Sequence, residues 1–321
     1  MGEFELIRNY FAAAPCAQPG EGVALGIGDD CALLAVAAGE QLAISTDTLV
    51  AGVHFPDGCD PFLLGQRALG VSASDLAAMG AKPLAFTLAL TLPDVSANWL
   101  QAFARGLNEM AQGCAMRLIG GDTTRGPLSL TLSVFGSVPA GLALTRSGAR
   151  PGDLLCVGGP LGDAAGALPL VLNQRSTEAS TTQALLARYW SPQPQLALGQ
   201  ALRGKATSAL DISDGLLADC GHIALASGVR LLVERDKVPM SDSLLAFFGP
   251  EAALDAALSG GDDYRLAFTL PPSLLAELLS AGWPVCVIGR AVQGQGVALI
   301  DEQGQDVTPS TRGYQHFRET R

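Results

Sequence analysis

Residues 145–170 read TRSGARPGDLLCVGGPLGDAAGALPL. Within this stretch Arg150-Pro151-Gly152-Asp153 is a strong turn cluster: Pro presets φ, Gly admits positive φ, and Asp bonds its own backbone. An apolar strand at 154–157 follows at once, then a Gly-rich connection and a helical run at 162–172. A strand–turn–helix unit therefore restarts here, and the domain boundary is placed beside it, giving domains 1–148 and 149–321. The chain has 321 residues, which suits two domains of about 150 residues each. Gly158-Gly159-Pro160-Leu161-Gly162 has the glycines of a phosphate loop but carries a proline and lacks the lysine, so it reads as a strand-to-helix turn.

Strands and helices alternate on both sides of this point. Upstream, helical patterns cover 3–14, 61–79 and 96–114, the last with Ser96 as N-cap. Strands are expected at 23–27, 41–46, 83–92, around Leu118, and at 128–138. Downstream, helices are expected at 181–189, 194–202, 215–227, within 242–258 and at 272–281. Strands are expected at 209–212, 229–234, 263–269 and 284–289. The class is α/β (α+β), and the pattern leaves the strand order open.

Hydrophobic residues make up 48% and charged residues 16%, which excludes a disordered chain. The net charge is −11 and no basic stripe occurs, which argues against nucleic acid and an anionic membrane surface as partners. An acidic chain can still hold a polyphosphate where divalent metals carry the positive charge. The seven cysteines are widely spaced without a C-x-x-C pair, as expected of small hydrophobes in a reducing compartment. No apolar run approaches the ~20 residues of a membrane span, and the first residues lack the pattern of a signal peptide. A cytoplasmic, soluble protein is expected.

The acidic residues gather in short Gly- or Ser-flanked segments, read here as turns after apolar strands. They are Gly28-Asp29-Asp30, Ser45-Thr46-Asp47, Ser74-Asp75, Gly121-Asp122-Thr123, Asp211-Ile212-Ser213-Asp214-Gly215 and Gly260-Gly261-Asp262-Asp263. Magnesium takes hard oxygen ligands and usually shares one or two carboxylates with substrate phosphates. Asp is short, so its carboxylate stays near the main chain that positions it, and an adjacent Gly lets backbone approach a phosphate. One such segment alone is most often a turn or a cap. Six in a moderately charged chain point to a metal–phosphate site. No Walker A, H-R-D, D-F-G or G-x-S-x-G pattern is present.

Other candidates are weaker. His54 lies between apolar residues, as core histidines do, but close to the Asp47 segment. Arg146 is a rare cation that could clamp phosphate with its planar fork or simply face solvent. Tyr314, His316 and Phe317 either pin the tail or stack a flat heterocycle.

The ordered set resembles the thiamine-monophosphate kinase family, within the superfamily of aminoimidazole ribonucleotide synthetase and selenophosphate synthetase. The resemblance runs nearly end to end, through FELI (4–7), GIGDDCALL (26–34), STDTLVAGVHF (45–55), ALGVSASDLAAMGAKP (68–83), GGDTTRG (120–126), TRSGARPGD (145–153), DISDGL (211–216), GGDDY (260–264) and GYQHF (313–317). It implies a two-domain fold: an N-terminal ATP/Mg-binding domain (1–148) that pairs into a dimeric β-barrel core, and a C-terminal α/β domain (149–321) covering the cleft. It also implies direct transfer from ATP to thiamine monophosphate, giving thiamine diphosphate, with several Mg2+ ions and a homodimeric enzyme. Carried over by position, Asp30, Ser45, Thr46, Asp47, Asp75, Asp122, Asp211 and Asp214 bind magnesium. Gly121, Asp122, Arg146 and Ser213 contact ATP. His54, Asp262 and Tyr314 contact the thiamine substrate, while Asp29 is a minor or outer ligand. The family reads G-G-E-D-Y-E where this chain has Asp262 and Arg265, so Asp262 has a shorter reach and Arg265 is expected to point to solvent.

No general base is expected. The attacking phosphate oxygen is already anionic at neutral pH, because the second pKa of a phosphomonoester is about 6. The obstacle is repulsion between phosphates, which bridging metals relieve. The alternatives are another ATP-dependent enzyme of the superfamily acting on a different phosphorylated metabolite, or a nucleotide sensor without turnover.

Overall fold

The computed structural model describes residues 3–18, 20–310 and 313–314. His316 and Phe317 lie outside the described residues. The chain forms two units. One runs to Leu76 and includes Ala81–Ala143 and Trp190–Leu196. The other comprises Ala77–Gly80, Leu144–Tyr189 and the chain from Ala197 on.

The first unit is built on a four-stranded sheet. Its strands are β3 (Glu40–Val50), β4 (Lys82–Leu92), β5 (Arg117–Arg125) and β6 (Ser129–Pro139), ordered β3-β6-β4-β5. β6 runs antiparallel to β3 and β4, and β5 runs parallel to β4. A small pair, β1 (Val23–Leu25) and β2 (Leu33–Leu34), adds Val23 and Leu34 to a cluster with Leu84, Ala85 and Ile119. Period-two alternation sorts β6: Leu130, Leu132 and Val134 are buried, while Thr131 and Ser133 are only partly so. The helices are α1 (Glu3–Leu6), continued by a π-turn to Ala12, then α2 (Pro61–Ala78) and α3 (Ala97–Gly113). Ser96 caps α3, its hydroxyl accepting from the Trp99 amide. Leu100, Phe103 and Leu107 of α3, spaced by three and four, are all buried.

The second unit has six strands: β7 (Leu154–Val157), β8 (Ser208–Asp211), β9 (Arg230–Glu234), β10 (Leu266–Leu270), β11 (Cys286–Val292) and β12 (Gly296–Ile300), ordered β12-β9-β11-β7-β10-β8. Only the β12–β9 pairing is parallel. The helices α4 (Asp163–Val171), α5 (Ala179–Trp190), α6 (Leu196–Leu202), α7 (Leu216–Ser227), α8 (Asp242–Phe248), α9 (Pro250–Ser259) and α10 (Leu275–Ser280) complete the element list. Leu216, Leu217, Cys220 and Ile223 of α7 and Ala257 and Leu258 of α9 share one core with Val157, Leu210, Leu231 and Ile288 of the sheet. Each fully buried Leu or Ile there stabilises the unit by about 1.5–3 kcal/mol. Burial pushes the thiols of Cys114 and Cys156 up to about 12, so they behave as the inert small hydrophobes expected. Among the described residues no helix is long and apolar enough to cross a membrane.

The main difference from the sequence reading concerns the acidic segments. Ser45-Thr46-Asp47 lies inside β3, Gly121-Asp122-Thr123 inside β5, and Ser74-Asp75 inside α2. Small and polar residues look like turns locally, but long-range ladder pairing holds the first two extended.

Candidate active site

In the first unit, β3 sends Ser45 and Asp47 to one face and Thr46 and Thr48 to the other, as its pleat requires. The Thr46 hydroxyl bonds Ser133 Oγ at 2.8 Å, and Thr48 pairs with Thr131 at 2.9 Å, both across β3–β6. The Thr46 side chain is therefore not brought together with Asp47. On the opposite face the Ser45 hydroxyl donates to Asp75 Oδ2 from α2. Burial pushes the Asp47 carboxyl up to about 6; the charge of Asp75 adds to the rise, and a hydrogen bond from Ser72 opposes it. A half-buried pair of like charges without a cationic side chain among the causes of the shift fits a divalent cation, which takes one or two carboxylates and keeps the remaining positions for water and phosphate. Among the described residues no three His, Cys, Asp or Glu side chains form a closed metal cage.

A cavity of about 660 Å³ lies in the same unit, with Asp29, Asp30, Gly121 and Asp122 on its polar side and Phe11 and Leu118 on its apolar side. The Asp30 amide donates to Asp29 Oδ1 at 2.9 Å, which folds that loop on itself. Gly121 is required by packing: a Cβ there would lie 1.8 Å from the Leu88 carbonyl oxygen of β4. Gly120 is unconstrained, since its Cβ would meet nothing nearer than Thr87 Cγ2 at 3.8 Å. His54 sits half-buried in the turn after β3, and its Nδ1 accepts the Val50 amide at 2.9 Å. The proton of the neutral ring is thereby assigned to Nε2.

In the second unit three motifs meet. Asp211 ends β8, and Ile212–Gly215 leads into α7. The Asp262 amide donates to the Ser213 carbonyl at 2.8 Å, and the Tyr264 amide to that of Ile212 at 2.8 Å. The Tyr314 amide donates to the Asp214 carbonyl at 2.9 Å, so main chain pins this segment while the ring remains exposed. Gly261, at φ 71°, fits because a Cβ would come within 2.5 Å of the Ser213 oxygen. Asp262 and Tyr264 also have positive φ, 61° and 49°, and the Tyr264 hydroxyl donates to Asp262 Oδ1 at 3.0 Å. Backbone strain of this kind, about 1–3 kcal/mol per residue, concentrates at functional sites. Arg146 is exposed in the loop before β7, and its carbonyl accepts from Ser227.

Arg265 does not point to solvent. It is half-buried, with Asp263, Asp163 and Arg188 acting on it electrostatically, and burial lowers its pKa first of all. Asp263 accepts the Gly162 amide on both carboxylate oxygens at 2.9 Å, tying the motif to the start of α4, and burial raises its pKa well above the usual range. The sequence reading missed this role, and it missed Asp219. Asp219 Oδ2 accepts the amides of Ser213, Asp214 and Gly215 at 3.0, 3.0 and 3.1 Å. Burial raises its carboxyl to about 6 despite these bonds. The available signal was an Asp in the first turn of a helix, four residues after a Gly.

Residues 28–138 match the N-terminal domain of AIR synthase related proteins, and residues 150–302 match the C-terminal domain. The thiamine-monophosphate kinase of Escherichia coli (strain K12) is 48% identical over 322 residues, covering 98% of each chain. The crystal structure of thiamine-monophosphate kinase from Stenotrophomonas maltophilia K279a superposes with a TM-score of 0.86 at 43% identity, covering 96% of this chain and 98% of that one. The structure of AaThiL complexed with AMPPCP and TMP aligns with a TM-score of 0.79 at 30% identity, covering 88% of this chain and 89% of that one.

Proposed function

Because the chain belongs to the thiamine-monophosphate kinase family of AIR synthase related proteins, we propose that it transfers the γ-phosphoryl group of ATP to thiamine monophosphate. The products are ADP and thiamine diphosphate, and the transfer is direct and in line. The observation that carries this reading is full-length kinship to thiamine-monophosphate kinases, 48% identical over 98% of each chain for the Escherichia coli enzyme. The AMPPCP and TMP of the AaThiL complex support the same pair of substrates for this chain.

In this reading residues 1–148 form the ATP- and metal-binding domain, and residues 149–321 complete the substrate site. Asp30, Asp47, Asp75 and Asp122 of the first unit and Asp211 and Asp214 of the second take magnesium, with Ser45 orienting Asp75. Thr46 contributes main chain rather than its hydroxyl, which is engaged with Ser133. Bound magnesium supplies charge neutralisation between the phosphates. Gly121 lets the β5 backbone lie flat beside the cavity, and Arg146 and Ser213 contact ATP. His54 Nε2, Asp262 and Tyr314 address the thiamine substrate. The nucleophile is an ionised phosphate oxygen, so no side chain needs to remove a proton.

A homodimer belongs to the same proposal. The outer edge of β3 is an 11-residue strand carrying Ile44, 60% exposed, and Leu42, 40% exposed, and a soluble protein covers such an edge.

The test is ADP release from purified protein with ATP and magnesium, with thiamine diphosphate followed in the same samples. One thiamine diphosphate per ADP, abolished by EDTA, is the expected result. Turnover only with other phosphorylated metabolites would leave the family and remove the substrate.

A further inference from the structure

The Ile212–Gly215 loop has the features of a phosphate cradle: glycine, a strand before it, and the N-terminus of the 12-residue helix α7 after it. Every main-chain polar group in it is nevertheless occupied from within the second unit. The Ile212 amide donates to Arg265 O, and Ile212 O accepts from Tyr264. Ser213 O accepts from Asp262, Asp214 O from Tyr314, and Gly215 O from Asp219. The three remaining amides, of Ser213, Asp214 and Gly215, converge on one oxygen of Asp219, a residue only 4% exposed. Successive amides aimed at one point form an anion nest, and here the anion is built into the chain.

We infer that Asp219 is a positioning residue that fills this nest with an internal carboxylate, so that the loop offers a ligand only the side chains of Asp211, Ser213 and Asp214. The helix start is thereby closed to phosphate, and the loop becomes a surface for cations. The loop's glycine serves packing rather than phosphate approach: a Cβ on Gly215 would lie 2.9 Å from the Ser259 backbone. Asp219 touches the loop amides and acts on bound magnesium only through the pose of Asp214. The metal arm of this inference rests on the proposed kinase reading; the nest itself does not.

The experiment uses the full chain and two variants. In Asp219→Ala the nest is vacated, and formate is the carboxylate probe. The melting temperature falls, and formate raises it relative to chloride at matched ionic strength, while wild type does not respond. The magnesium concentration for half-maximal thiamine diphosphate formation rises about 10–100-fold, the usual effect of losing an outer-shell partner, and formate reverses part of the rise. In Asp219→Asn the amide oxygen still fills the site, so the magnesium requirement stays within a few-fold of wild type and formate does nothing. An unchanged magnesium requirement in Asp219→Ala, or equal formate stabilisation of all three proteins, overturns the inference. A wild type that makes no thiamine diphosphate overturns the kinase reading alone, and the formate-dependent melting still decides the nest.

Discussion

Asp47 and Asp219 have carboxyls raised to the same value, about 6, and burial is the first cause in both. Their surroundings differ. Asp47 projects from a strand toward a second carboxylate, Asp75, and its charge is opposed by a like charge. Asp219 also has a like charge near it, Asp214, but it projects from a helix into three amide donors that hold its charge in place. The first arrangement leaves like charges side by side and suits a cation, as the proposed function requires; the second is answered by the main chain. A raised carboxylate therefore marks a ligand site only where its neighbours leave the charge unanswered, and the two units answer it differently.

The contrast can be broken most directly at the ligands. Asp75→Asn and Asp214→Asn are expected to lower kcat about 10³-fold with cooperative melting retained, the scale of losing a group that neutralises developing charge. Near-wild-type rates at saturating magnesium would remove the metal role from that residue. Backbone packing gives the next largest effect. Gly121→Ala should lose about 3 kcal/mol or more, because β4 cannot move away from its Cβ, whereas Gly120→Ala should lose less than ~1 kcal/mol. Urea melts of both variants check the pair.

The sign of the charge effect sharpens the comparison further. Without magnesium, Asp47→Asn should raise the melting temperature by a few degrees, equivalent to ~1–2 kcal/mol, while Asp219→Ala should lower it by a similar amount or more through its stranded amides. The pH dependence follows from linkage. The folded Asp47 carboxyl titrates near 6 against an ordinary 3.8, so between these values the folded state holds more protons than the unfolded one. The penalty is absent below the ordinary value and grows as pH rises through about 6. The advantage of Asp47→Asn over the metal-free wild type should therefore widen from pH 4 to 7, and a constant gap in melting temperature would contradict this origin. The smallest effect concerns the substrate arm. Tyr264→Phe removes one hydrogen bond to Asp262, worth about 1 kcal/mol, and should raise KM for thiamine monophosphate several-fold with little change in kcat.

Much of the fold was legible. The alternation of apolar runs located α2, α3, α7, β4 and β6 to within a residue or two, and Ser96 announced its helix. β12 was not anticipated: Gly296–Ile300 is a five-residue apolar run, and pairing with β9 makes it a strand. Of the candidate site, the aspartates were legible as a set because their number was unusual for the chain. Their settings were not. Asp47 and Asp122 sit mid-strand because of their partners Leu132 and Ala89, 85 and 33 residues away, and local propensity carries no record of those partners.

The sequence alone determined which chemistry the chain can offer: many short carboxylates, few cations, glycines where backbones pass closely, and two alternating α/β halves. It determined the family as well, through the order of the acidic segments. Tertiary structure decided which of these groups remain available. It turned the Thr46 hydroxyl away from Asp47, drew Arg265 in among Asp163, Asp263 and Arg188, and gave the amides before α7 to Asp219. The physical reason is that hydrogen bonds and burial are shared among residues far apart in the chain, so whether a charge is satisfied is a property of the packed neighbourhood rather than of the residue that carries it.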